Sequence, residues 1–240
     1  MRISTRIGNF PLDRALLALL AIAALLLAAR AWLHDHPENN PWAPLSLDDP
    51  LGWATQRKLA DLRNDPAECR AVLERSGVAF RRLDPAGEGE CRRSDRTMLT
   101  DAPLSPREPV ASCAVGAGLE LWLRQGVQPA AEDLLGSPVA RIEHFGTYSC
   151  RRLYGRSTGA WSEHATGNAI DIAAFVLKDG RRISVLADWD GQGEEAAFLH
   201  RVRNAACGAF GTVLSPDYNA AHANHFHLDQ EARSFGSVCR

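Results

Sequence analysis

Apolar residues run unbroken from Ala15 to Ala29, with Arg2, Arg6 and Arg14 ahead of the run and Arg30 behind it. No later stretch is so free of polar side chains, which separates it from a buried core helix and marks it as an export signal. Ala31-Trp32-Leu33 prolongs the run and Arg30 can snorkel, so the segment reaches the roughly 20 residues of a membrane span. Ala29-Arg30-Ala31 meets the small-x-small spacing of a cleavage site only nominally. The predicted organisation is a cytoplasmic basic segment over residues 1–14, a signal anchor over 15–33, a linker rich in Pro, Asn and Asp over 34–52, and one folded domain over 53–240. The expected location is the inner membrane, single-pass, with the domain in the periplasm; secretion after cleavage is the alternative.

Beyond the linker the periodicity alternates between helical and extended. Trp53 to Arg63 and Pro66 to Arg75 carry apolar residues at helical spacing, with Asp65 as N-cap before an N1 proline and Gly77 as the stop. Val78–Leu83 and Thr97–Thr100 read as short strands joined by a loop containing Gly87, Gly89 and Cys91. Val110 to Leu123 and Pro129 to Leu135 are helical, and Val139–Phe145 alternates as a strand. Ala169 to Leu177 is the strongest strand, turned back by Lys178-Asp179-Gly180 into Arg181–Val185. Glu194 to Phe210 is an amphipathic helix, and Thr212–Leu214 and His225–Leu228 supply further strands. With no repeating βαβ unit, the expected class is α+β: a small central antiparallel sheet flanked by helices, behind an N-terminal apolar membrane helix.

The chain of 240 residues has a net charge of −2, which gives no electrostatic case for nucleic acid. Its six cysteines, at 69, 91, 113, 150, 207 and 239, all follow the apolar run, as disulfides in an oxidising compartment would. None lies in a Cys-x-x-Cys pair, which argues against a thiolate zinc site. Neighbours in sequence close compact loops, so the pairs expected are Cys69–Cys91, Cys113–Cys150 and Cys207–Cys239.

Two stretches carry chemistry: Ser162-Glu163-His164-Ala165-Thr166-Gly167-Asn168-Ala169-Ile170-Asp171 and His222-Ala223-Asn224-His225-Phe226-His227-Leu228-Asp229. A tight turn at Gly167-Asn168 can bring the His164 imidazole and the Asp171 carboxylate to one point. Alternation along a strand sets His225 and His227 on one face, with Phe226 packed behind, so either can add a third imidazole. Two histidines and an aspartate suit a catalytic zinc with an open position better than a closed structural one. A serine nucleophile has little support, because there is no Gly-x-Ser-x-Gly.

The Ser-x-His-x-x-Gly-x-Ala-x-Asp pattern followed by His-x-His resembles the zinc D-alanyl-D-alanine carboxypeptidases and the related murein endopeptidases. Together with Gly146-Thr147-Tyr148-Ser149-Cys150-Arg151, Phe210-Gly211-Thr212 and Asp217-Tyr218-Asn219, it resembles more closely the bacterial extensin-like C-terminal domain family, over roughly Ala60 to Arg240. The resemblance implies a zinc peptidase-like fold, Zn(2+) as cofactor, and His164, Asp171 and His227 as ligands. The His222-x-x-His225-x-His227 spacing is like that of the endopeptidase branch, which implies catalytic roles for His225 and His222. Arg151 matches a Tyr-Arg segment that holds substrate carboxylate or carbonyl. Where the carboxypeptidase branch places a glutamate as general base, this chain has Asn224, so the base must be a histidine, by preference His225. Asp229 is expected to accept from an imidazole N–H, and Ser162 and Glu163 to shape the turn, with Glu163, the only carboxylate beside His164 in sequence, as the remaining alternative for the base. The expected function is a zinc-dependent hydrolase of peptidoglycan stem peptides, of D,D-carboxypeptidase or endopeptidase type. The alternative is a zinc-containing module of the same fold that binds cell-wall material without turnover.

Overall fold

The computed structural model describes residues 11–231 and 237–240. Arg2 and Arg6 of the predicted basic segment lie outside these described residues. Helix α1 (Pro11–Asp35) has a stretch of mean hydropathy 2.3 with no part buried. It is long and apolar enough to cross a membrane, a test that a signal sequence near the N-terminus also passes.

The predicted linker is irregular, but it is not a free spacer. Leu47 is wholly buried in the core, Asp48 pairs with Arg124 at 2.7 Å, and Gln125 Nε2 donates to the Asp48 carbonyl at 3.1 Å. Composition marked the stretch as loop; one apolar anchor among many polar residues leaves no periodic trace.

Helix α2 (Thr55–Asp61) leads into α3 (Pro66–Arg75), where Asp65 accepts from Glu68 N at 3.0 Å as the predicted N-cap. Strands β1 (Phe80–Arg82) and β2 (Thr97–Leu99) pair antiparallel. Then come two-residue strands, β3 (Leu104–Ser105) and β4 (Val110–Ala111), and β4 completes a small sheet in the order β1-β2-β4. The single helix expected over Val110–Leu123 is therefore divided. Ser112 accepts from Val115 N and starts α4 (Cys113–Trp122), while Val110-Ala111 stays extended against β2. Helix α5 (Gln128–Leu135) ends at Gly136, whose φ of 64° suits glycine.

The main sheet is built on β5 (Val139–Gly146) and β6 (Ala169–Leu177). Strand β7 (Arg182–Ser184) and the helical turn α6 (Val185–Asp188) follow, then α7 (Glu194–Ala206), β8 (Thr212–Leu214), β9 (Phe226–Asp229) and β10 (Val238–Cys239). Strand order is β10-β8-β9-β6-β5-β3, with β7 also on β6. On one side β6 pairs with β5; on the other its first half pairs with β9 and its second with β7. All of these pairs are antiparallel, and only the edge strands β3 and β10 join in parallel. The result is a mixed α+β fold with a small, mainly antiparallel sheet, helices and one apolar N-terminal helix.

One face of the sheet packs on α4, α5 and α7. Trp122 of α4 is fully buried, meets Phe175 and Phe210 edge-on at 5.9 and 6.5 Å, and donates from Nε1 to the Val202 carbonyl at 2.8 Å. Full burial of side chains of this size is worth about 1.5–3 kcal/mol each in transfer free energy. The opposite face of β6 is left for the site.

The disulfides are Cys69–Cys113, Cys91–Cys150 and Cys207–Cys239. The last pair is the expected one; the other two are corrections. Cys69 lies on the buried face of α3 and Cys113 opens α4, so helix packing, not proximity in sequence, selects that partner. Cys91 is thereby left for Cys150, which starts the loop ahead of His164.

Candidate metal centre

The turn before β6 is fixed by its own polar groups. Ser162 Oγ accepts from His164 N at 3.3 Å, and Gly167, at φ 72°, reverses the chain into the strand. Asn168 Nδ2 donates to Glu163 at 2.5 Å, Asn168 Oδ1 accepts from Ser112 Oγ at 2.8 Å, and Glu163 also pairs with Arg63 at 3.3 Å. Glu163 is therefore committed to holding the turn. Burial raises its pKa above the ordinary carboxylate value, with the Asn168 hydrogen bond and Arg63 opposing.

The turn delivers His164 over the start of β6, where Asp171 stands directly opposite His227 of β9 in the antiparallel register. His164 Nε2, His227 Nδ1 and Asp171 Oδ1 lie 3.1 Å from one another. Their remaining partners settle what these atoms present. His164 Nδ1 donates to the Thr147 carbonyl at 3.2 Å, and His227 Nε2 donates to Asp229 Oδ2 at 3.0 Å. Each imidazole thus spends its N–H outward and turns a lone pair inward, the outer-shell arrangement typical of metal-ligating histidines. Three lone pairs converging at such short range repel unless a cation lies among them. A tetrahedral ion with bonds of about 2.0–2.1 Å has its ligand atoms ~3.3 Å apart, so the donor set fits a zinc-sized ion.

The electrostatics agree. Burial opposes ionisation of Asp171, yet the His164 and His227 imidazoles beside it, which donate to it when protonated, hold its carboxyl well below the usual range. Burial likewise disfavours the charged form of His227, yet Asp171 and Asp229 push it up to about 9. The pocket between these three residues favours positive charge.

Around this cluster lies a cleft of about 340 Å³, lined by Arg151, Tyr154, His222 and His225 as well as the three converging residues. His225 lies one residue ahead of β9 and not in the strand as expected, yet it and His227 both face the cleft, while Phe226 is buried against Trp189 at 5.5 Å. His225 Nε2 is 3.5 Å from Asp171 Oδ1, and the ring meets Phe145 edge-on at 5.8 Å. Its Nδ1 donates to Asn224 Oδ1 at 2.8 Å, and His222 Nδ1 donates to Asn219 Oδ1 at 2.8 Å. Burial lowers the pKa of His225, and burial followed by the neighbouring His225 and His227 takes His222 down to about 4. Arg151 has no ion pair among the described residues. Tyr218 meets His222 edge-on at 5.4 Å, and Trp161 carries the Arg152 guanidinium at 4.4 Å.

Sequence reasoning missed Tyr154, the one non-glycine residue at positive φ (55°) among those described. Its hydroxyl accepts from Asn219 Nδ2 at 3.2 Å, joining the Arg151 loop to the loop before β9 across the cleft mouth. A bulky residue held in the left-handed region costs on the order of 1–2 kcal/mol and persists where its surroundings over-determine it. Only its nearness to Arg151 hinted at this place.

Neither a curated protein nor a solved structure matched the chain. The family described as extensin-like protein C-terminus matches residues 67–240, from α3 to the last residue and so across the whole cleft. The chain belongs to that family of extensin-like C-terminal domains.

Proposed function

We propose that the protein is a zinc-dependent hydrolase of peptidoglycan stem peptides, of D,D-carboxypeptidase or endopeptidase type, acting in the cell envelope. The reading is carried by one observation: three inward lone pairs at 3.1 Å, with both imidazole N–H groups already spent, at the floor of an open cleft. The likeness of the His164–Asp171 and His225–His227 motifs to zinc D-alanyl-D-alanine carboxypeptidases and murein endopeptidases supplies the substrate class.

His164, Asp171 and His227 would hold the ion. Zinc held there would supply a Lewis acid for a peptide carbonyl and a coordinated water of pKa about 7. Arg151 sits where a guanidinium can grip a substrate carboxylate through two parallel hydrogen bonds. His225 Nε2 takes a proton from the attacking water and passes it to the leaving amine, so the peptide and one water become an acid and an amine. Asn224 has a role in this scheme. By accepting from Nδ1 it fixes the His225 tautomer, leaving Nε2 as the basic nitrogen. The position that holds a glutamate base in the carboxypeptidases here serves the base next to it.

The test is to purify the full chain in detergent, measure bound zinc, and incubate it with muropeptides, reading products by mass spectrometry. Wild type is expected to bind one zinc and shorten stem peptides, H164A to lose zinc, and H225A to keep zinc but lose turnover. Stoichiometric zinc with identical muropeptide profiles for wild type and H225A would replace the hydrolase with a non-catalytic wall-binding module.

A further inference from the structure

We propose that residues 36–53 form a rigid collar seated in the lipid headgroup layer, so that the domain rests on the membrane surface instead of standing off it. The proposal takes α1 to be a retained membrane span and is independent of what the metal cleft does.

The junction has no slack. Two residues after α1 ends, the Pro37 carbonyl accepts from Lys58 Nζ at 2.7 Å, and Asn39 Oδ1 accepts from Trp53 N at 3.1 Å. At Gly52 a Cβ would collide with the Glu38 carbonyl oxygen, so the two backbones are pressed together there. Asn40 Nδ2 reaches back to the Leu33 carbonyl at 3.3 Å, and His36 stacks on Trp32 at 4.5 Å. Further along, Leu47 is buried in the core. Helix end and domain are therefore bonded to the same few residues.

The collar also returns to the depth of the helix. Trp42 shares a groove of about 470 Å³ with Leu26, Ala29, Arg30 and Leu33, which lie in the last turns of the apolar run. If those leucines are in hydrocarbon, Trp42 is at the bilayer boundary. The indole is 83% exposed, and that of Trp53, on the same collar, is 66% exposed. Exposed tryptophans beside the end of an apolar helix match the aromatic belt of membrane interfaces, where an amphipathic ring has one apolar side and one wet edge. Arg30 in the same groove has no ion pair among the described residues and suits a lipid phosphate. A phospholipid surface is the occupant that satisfies all three residues.

The experiment uses the full chain in vesicles of phosphatidylcholine and phosphatidylglycerol, with lipids brominated near the headgroup end of the acyl chains, and reads tryptophan fluorescence. Trp32 belongs to α1, so the reference is W32F. Its emission is expected to stay quenched by the brominated lipid, and W32F/W42F/W53F is expected to lose roughly half or more of that quenching. Quenching that vanishes with W32F alone overturns the collar, as does an intact mass showing that α1 has been removed. None of these readouts uses zinc or turnover, so the collar and the hydrolase stand or fall separately.

Discussion

Each imidazole of the cluster is aimed by what its second nitrogen does. His227 shows this most directly, since Asp229 accepts its Nε2–H and leaves Nδ1 for the centre. Replacing Asp229 by Asn should therefore weaken zinc binding by about 10–100-fold, as measured by chelator competition, while the fold survives. That His164 and Asp171 come together is legible in the sequence because a turn between them leaves a Gly-Asn mark, whereas the residues alone leave His225 and His227 open as the third member and only the family resemblance points to His227. The place of Tyr154 is not legible. A residue chosen for position in a strained loop has no spacing to reveal it, and its partner Asn219 is far along the chain.

Among the elements, the loop from Cys150 to Trp161 carries both Arg151 and Tyr154 but little regular structure. Cys91–Cys150 pins its start to the excursion between β1 and β2. Replacing both cysteines by serine should raise KM several-fold more than it lowers kcat, with zinc content unchanged, because the substrate clamp loosens while the ligand turn and β9 stay in place. Strand β6 is legible to the residue, since eight apolar positions around Asp171, bounded by turn signals, admit few alternatives. The two-residue strands β3, β4 and β10 are not, because periodicity has no meaning over two positions. Disulfide connectivity was hidden for a different reason: it follows from how α3 packs on α4, which loop length does not report.

At the level of the whole domain, ion binding and folding are linked. The three converging residues come from a turn and two neighbouring strands that do not meet in an unfolded chain, so zinc bound there as proposed would stabilise only the folded state. Free zinc at 100 times its Kd adds about 2.7 kcal/mol, and removal by EDTA should lower Tm by roughly 5–10 °C in calorimetry. A second dependence comes from His144, buried in β5 with Nε2 donating to the Arg107 carbonyl at 3.0 Å. Burial chiefly lowers its pKa from 6.5, with the Arg107 carbonyl opposing. Unfolded chains bind the proton first as pH falls below about 6.5, so this contribution to stability is complete above that value and declines below it until the folded-state pKa is passed. Denaturant titrations from pH 7.5 to 5 should show a smaller loss for H144F than for wild type.

The immovable joint between Asp35 and Lys58 also governs where work is done. With α1 lodged in a bilayer, the cleft hangs like a tool on a fixed bracket, and its radius is set by the size of the domain alone. If the cleft acts on wall material as proposed, only material within one domain's reach of the bilayer would come within range, a limit set by carpentry at residues 36 to 53.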